Sequence, residues 1–351
     1  MDPQLEPLGD GFPRAPRRTL PSWKTAIGYL IAAACLIWVF HDVRFGELFH
    51  EIQLMNWWLV ALAVVFDILS YICQGWRWSL LLHPKGRLPV SQTTQAIYAG
   101  LFINEILPMR VGEVLRIYLA SRWLAVDFAT IVSSVLVERF LDGIWLVLAA
   151  AATILLIPLP RYLVDVEELL AVSVILALAL FVYLVMRKQP DQTGDGSQRG
   201  FRAGLLRIIG SLASGIHAIG RSRYLYESLG VSGLLLLFQV LAFWLVMWAY
   251  GFRLTFWHGM AAMIILHLGT LVPSAPSNLG TYQFFTVVGL TQFGIEKTAA
   301  TGFSVVVFVI LTIPLWIIGI FAFGRAGLTL KQLRADLPRW GKRGGEEVAP
   351  S

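Results

Sequence analysis

Apolar runs close to the length of a bilayer crossing recur along this 351-residue chain, at about 24–40, 57–74, 129–157, 169–186, 231–250 and 301–323. A helical crossing takes roughly 20 apolar residues. Lipid offers the backbone no hydrogen-bond partner, so each spanning segment has to satisfy its own peptide groups as a helix. Charged residues are 14% of the chain and mean hydropathy is +0.68, where a soluble domain carries about 25% charge. The expected fold is all-α: a polytopic transmembrane bundle of about six full spans. Cys35 and Cys73 both lie in apolar runs, which argues against a disulfide framework or a Cys metal site. The net charge of +6 sits in loops beside spans, the pattern of membrane topology rather than of nucleic-acid binding. Ala32-Ala-Ala-Cys35 loosely resembles a lipoprotein cleavage site, but the apolar run continues to Phe40, so a retained anchor is expected.

Two apolar segments are broken. In Leu107-Pro-Met-Arg-Val-Gly-Glu-Val-Leu-Arg116, Pro108 ends a helix arriving from Gln95, Gly112 allows a reversal, and a helix restarts at Val111. In the second half, residues 257–271 run into Val272-Pro-Ser-Ala-Pro-Ser-Asn-Leu-Gly-Thr-Tyr-Gln283. Pro108-x-x-x-Gly112 matches Pro276-x-x-x-Gly280, and Ala125-Val-Asp-Phe-Ala-Thr130 stands where Gly294-Ile-Glu-Lys-Thr-Ala299 stands later. Each break reads as a re-entrant helical hairpin. An ordinary cytoplasmic loop is the alternative for the first.

Charge assigns the sides. Residues 1–24, 74–92, 109–128, 187–230 and 324–351 carry 4, 3, 3, 7 and 6 of the 28 Lys and Arg. Both termini are therefore expected in the cytoplasm. Six spans meet that condition only if both broken segments return to the side they entered. Span, hairpin and span would then repeat, inverted, an arrangement that in transporters places the site where the breaks meet. The expected domains are a disordered tail at 1–22, a transmembrane domain at 23–325 and a basic cytoplasmic tail at 326–351. A cytoplasmic linker and interfacial helix should fill 187–228, where Leu205, Ile208, Leu212, Ile216 and Ile219 recur at helical spacing. A helix packed on the bundle fits that spacing equally.

The candidate site residues lie at the breaks and in the third span. A half-helix N-terminus favours anions, and Arg110 and Arg116 near Gly112 could add bidentate donors for a phosphate. A topology anchor is the other reading of Arg116. Pro276, Asn278, Gly280 and Gln283 shape and line the second break. Glu138 and Asp142, four apart in the third span, share a helix face, Arg139 is three residues from Asp142, and Glu113 on the first hairpin is a further acid. Charges at that depth usually face a bundle interior or a pathway. The alternative is a self-neutralising structural cluster, with Arg139 taking one acid and Arg110 or Arg116 the other. Asp67 and Glu105 could join it, and His267 reads as hydrogen-bonded packing.

Leu107-Pro-x-Arg-x-Gly-Glu113 with Arg116, then Val137-Glu-Arg-Phe-Leu-Asp142, then Pro273-x-x-Pro276-x-x-Leu-Gly280 together resemble the lysylphosphatidylglycerol synthase transmembrane-region family, also called flippase-like membrane proteins. The resemblance covers about residues 25–325. It implies a multi-pass inner-membrane protein that binds and translocates a lipid or lipid-linked molecule with an anionic headgroup. An intramembrane lipid-modifying enzyme and a non-transporting scaffold for a lipid-synthesis enzyme are the alternatives. No soluble aminoacyltransferase domain, catalytic motif, metal site or cofactor is expected. Ser277 and Gln283 depart from the Gly and Glu common in similar sequences. The expected partners are membrane lipids and a lipid-synthesis enzyme encoded nearby, with no nucleic acid.

Overall fold

The computed structural model describes residues 23–41, 53–107, 110–126, 128–158, 161–186, 215–220, 222–270 and 275–327. The expected tail at 1–22, residues 328–351 of the expected tail at 326–351, most of the expected linker and helix at 187–228, and the breaking prolines Pro108 and Pro273 lie outside the described residues. Everything described is helix, turn or loop, and the all-α expectation holds for it.

In chain order the helices are α1 (Trp23–Phe40), α2 (Trp57–Leu82), α3 (Val90–Ile106), α4 (Val111–Leu124) and α5 (Phe128–Leu156). There follow α6 (Arg161–Met186), α7 (Arg223–Ala249), α8 (Phe256–Gly269), a 3-10 turn at Pro276–Asn278, α9 (Thr281–Thr291) and α10 (Lys297–Arg325). Their ends are set by local chemistry. The Asn56 side chain accepts from the amides of Trp58 and Leu59 to start α2, and Ser222 accepts from Tyr224 to start α7. Among the described residues, four helices contain a stretch long and apolar enough to cross a membrane: Trp57–Leu82, Thr130–Leu156, Arg223–Ala249 and Lys297–Arg325. Tyr29–Phe40, Glu168–Phe181 and Phe256–Gly269 are shorter apolar stretches. One boundary needs correcting. The second span does not stop near Gln74 before a loop holding Arg77; α2 continues to Leu82 and carries Arg77 into the interior.

The helices fall into two sets of four, α2–α5 and α7–α10, and their contacts correspond under exchange of the sets. α2 and α7 form the largest interface. α3 packs on α10 as α8 packs on α5, α4 packs on α5 as α9 packs on α10, and α2 and α7 each touch both α5 and α10. The two largest clusters of buried apolar side chains divide in the same way. One cluster surrounds the first broken segment, with Trp78, Ile97, Ile103, Leu115 and Ile131. The other surrounds the second, with Val246, Met263, Val287, Leu290 and Phe303. α6 packs on α5 and turns Leu169, Ile175, Leu176 and Leu180 outward, an apolar face suited to lipid.

The limbs of each broken segment run close together because small residues let them. A Cβ on Gly112 would lie 1.7 Å from the carbonyl oxygen of Gly100, and one on Gly289 would lie 3.2 Å from the Cα of Ala262. The return limbs also end alike. Ala125 caps α4 in the left-handed region, φ 51°, and Gly294 adopts φ 80° just beyond α9. Near 205–219, only residues 215–220 are described. They are helical, and Ile216 and Ile219 are buried against Leu81, Val137 and Leu141, so this end of the segment packs on the bundle.

Gly230 offers a contrast within a long helix. A Cβ there would meet nothing within 4 Å, and alanine has the higher helix propensity. Gly230→Ala should therefore stabilise the protein by about 0.4–1 kcal/mol. The midpoint of thermal unfolding in detergent should rise accordingly, and an unchanged or lower midpoint would contradict an unobstructed Gly230.

Candidate functional site

Six charged residues of α2, α4 and α5 form one closed ring. Arg77 bonds Glu138 through Nη2 at 2.8 Å and Asp142 through Nη1. The other Glu138 oxygen meets Arg116 at 2.9 Å, and Arg116 meets Glu113 at 2.7 Å. Glu113 accepts from Arg139 at 2.5 Å, and Arg139 closes the circuit to Asp142 at 3.6 Å. Three guanidiniums alternate with three carboxylates, so the ring is neutral and each charge has two opposite neighbours. That is how six charges can be held in an apolar bundle.

The ring is graded from sealed to open. Arg77 and Glu138 are each 1% exposed, whereas the Arg139 side chain is 48% exposed and that of Asp142 35%. At the sealed end Arg116 lies over the Trp78 ring at 5.1 Å, and the Trp78 indole donates to Ser134. Arg77 also donates to Ser232 of α7, tying the ring to the other half of the bundle. Along the helices, Arg77 is five residues from the end of α2 and Glu138 ten residues from the start of α5. At 1.5 Å per residue the ring lies ~8–15 Å in from that end of the bundle.

Just above the ring, the first break is built by a residue from the opposite limb. Asn104 on α3 accepts from the amide of Gly112 at 2.7 Å, capping α4. Arg110, the residue before α4, holds a left-handed conformation at φ 54°. Its guanidinium reaches across to the carbonyl of Thr270, 2.8 Å away, where α8 ends. The second break answers this contact, as the Ser277 hydroxyl donates to the carbonyl of Glu105, 3.2 Å away. Ser277 and Asn278 are also left-handed, at φ 61° and 51°. Strained residues of this kind persist only where surrounding structure holds them, and three of the four described here flank the two breaks. The two discontinuous helices therefore meet each other at their breaks.

The remaining candidate residues occupy structural corners of the second break. Pro276 opens the 3-10 turn, and the Asn278 carbonyl accepts from Thr281. Gly280 has φ 88°, and a Cβ there would come within 2.4 Å of the Ala32 carbonyl on α1. Only glycine serves both demands. Gln283 is buried and accepts from the Gly280 amide at 2.8 Å, so it caps α9 rather than lining an open surface.

Several expectations change. The half-helix N-termini are not bare anion sites: Asn104 occupies an amide of α4 and Gln283 the amide preceding α9. Arg116 is neither a topology anchor nor an exposed headgroup donor, because its guanidinium is buried and paired to two acids. Arg110 stays outside the ring, and so do Asp67 and Glu105; Glu105 accepts from Trp316 instead. His267 bonds the Met263 carbonyl at 3.0 Å, as expected. The interior placement of Glu138 beside an arginine holds.

Sequence reasoning missed Arg77, Asn104 and Thr270. Arg77 had a usable signal, since Trp78, Leu80, Leu81 and Leu82 extend the apolar run beyond it. Asn104 and Thr270 had none, because their partners are set by how the limbs fold together.

What these groups can do follows from their exposure. The open edge of the ring offers the Arg139 guanidinium between Glu113 and Asp142, and Arg110 offers a second guanidinium at the junction of the breaks. Planar two-donor cations suit phosphate. No curated protein matches the chain. The family model for the lysylphosphatidylglycerol synthase TM region matches residues 25–319, a stretch holding every helix described above except the ends of α1 and α10. The chain, a multi-pass membrane protein, belongs to the lysylphosphatidylglycerol synthase transmembrane-region family.

Proposed function

We propose that this protein binds the phosphate-bearing headgroup of an anionic lipid, or of a lipid-linked molecule, where its two broken helices meet, and carries it across the membrane without altering it chemically. The observation that carries this reading is the contact of Arg110 with Thr270, which joins the first broken segment to the second and leaves an arginine partly exposed at the junction. Arg139, at the open edge of the charge ring, is the second cation within the same half. Both broken segments act as re-entrant hairpins. Their limbs of 17, 14, 14 and 11 residues are at or below the roughly 20 needed for a crossing. The exchange symmetry of the helix contacts supports an inverted repeat, with α1, α2, α5, α6, α7 and α10 as the six crossings and both termini in the cytoplasm. The membrane is the cell membrane.

The test is lipid retained after detergent exchange, read by mass spectrometry on the intact protein. Arg110→Ala removes a charge-assisted contact of about 1.5–3 kcal/mol, so retention of phosphatidylglycerol should fall at least about tenfold. Arg139→Ala should lower it further. Arg223→Ala, at a site on the surface pairing Glu227 at 3.8 Å, should leave it unchanged. Equal retention in wild type and both site variants would remove the headgroup site. A leaflet-exposure assay in proteoliposomes then separates binding from translocation.

A further inference from the structure

A buried carboxyl in the bundle, that of Asp67, stands apart from the charge ring. Asp67 lies midway along α2, ten residues from Arg77, with its side chain 6% exposed and its Oδ2 unbonded. Its electrostatic neighbours are phenols: Tyr71 one turn along α2, Tyr98 on α3 and Tyr282 on α9. The Tyr98 hydroxyl, on a residue 3% exposed, also lacks a hydrogen-bond partner, and its ring lies 5.2 Å from that of Tyr71. The other helices that pack on α2 supply no cation at this level. α7 has no ionisable side chain between Leu229 and Ala249, and α10 has none between Thr298 and Gly324. The acids and bases of α5 are Glu138, Arg139 and Asp142, and all three are paired within the ring. On α3 the acid is Glu105, whose carboxylate accepts from Trp316.

A carboxylate buried without a cation or a set of donors is costly, whereas the neutral acid is not. The position of Asp67 adds a second feature. Tyr98 belongs to the first broken segment and Tyr282 to the second, so each segment brings a phenol within electrostatic reach of Asp67. Any movement that parts these segments admits water, and water stabilises the charged form. We infer that Asp67 is a proton-binding site whose occupancy is linked to the relative position of the two broken segments: filled when they are closed around it, emptied when they part. By linkage, what favours the parted arrangement favours release of the proton, and acid favours the closed one. An intramembrane carboxyl of this kind is where a proton would enter a transport cycle, but its presence stands apart from the lipid-binding reading above.

Infrared difference spectroscopy of the full chain, purified in detergent without added anionic lipid, tests the site. At neutral pH, where an exposed Asp is ionised, wild type should show a protonated-carboxyl C=O band that is lost in Asp67→Asn. Because asparagine is nearly isosteric the variant should fold, and Tyr98→Phe, which keeps the carboxyl, should move the same band in frequency. Absence of any band responding to these two substitutions would overturn the site. Exchanging potassium for sodium at constant pH should leave the band in place; its loss would assign the carboxyl to sodium instead of a proton. The linkage is read from transfer into heavy water. Arg110→Ala, which removes the bond between the segments, should speed conversion of the band to its deuterated position severalfold, and an unchanged rate would sever the proposed link. None of these readouts depends on lipid binding, so the site can fail while the headgroup reading stands, or the reverse.

Discussion

Replacing Arg77 by alanine should be the most damaging single change outside the hydrophobic core, with an expected cost of about 3–5 kcal/mol. Arg77 is the sealed end of the charge ring and serves two acids, Glu138 and Asp142. Its removal leaves Glu138 buried with Arg116 alone, and Asp142 with the longer contact to Arg139. Folded yield after detergent extraction, and the denaturation midpoint of what survives, measure the loss. The diagnostic feature is coupling. Glu138→Ala alone should cost a similar amount, but Arg77→Ala with Glu138→Ala should cost clearly less than the two singles added, because the double variant strands fewer charges. Strict additivity would mean that the two side chains do not act as a pair. The same logic revises what Arg116 is for. Arg116→Ala should impair folding before it impairs lipid binding, since Glu138 and Glu113 both rely on it.

The second large effect is expected at Gly112. Its missing side chain lets α4 lie against α3 so closely that a methyl group would overlap the Gly100 carbonyl, a backbone atom that cannot rotate away. Gly112→Ala has to push the limbs apart, and that movement breaks the Asn104 cap and shifts Glu113 and Arg116 out of register with α5. Overpacking costs typically about 1–3 kcal/mol, and lost ring contacts add to it. Gly112→Ala should therefore lower the unfolding midpoint and also lipid retention, whereas Gly230→Ala should raise the midpoint. If Gly112→Ala matched wild type in both measurements, the close approach of the limbs would be wrong.

Much of this was legible in the chain. The breaks near Gly112 and Gly280 were visible because proline and glycine act on their own backbone and immediate neighbours. The helical character of the spans was visible because apolar length is a local property. Even the inward face of Glu138 and Asp142 could be read, since a charge inside an apolar run has few tolerable directions. The sequence does not separate Arg77 from a loop cation, because a basic residue near a span end looks the same whether it faces water or a buried acid.

Local sequence sets the list of pieces: helices long enough for lipid, two interrupted segments with matched Pro and Gly spacing, and acids placed on one face of α5. Those features depend on interactions within a few residues along the chain. Tertiary structure alone decided which pieces meet. Arg77, Glu113 and Glu138 come from three helices and close into one ring only when α2, α4 and α5 pack together. Arg110 and Thr270 are 160 positions apart, and neither carries a local mark of the other. The pairing is selected by the cost of a bare charge in an apolar interior, a cost that exists only once the helices have come together and excluded water.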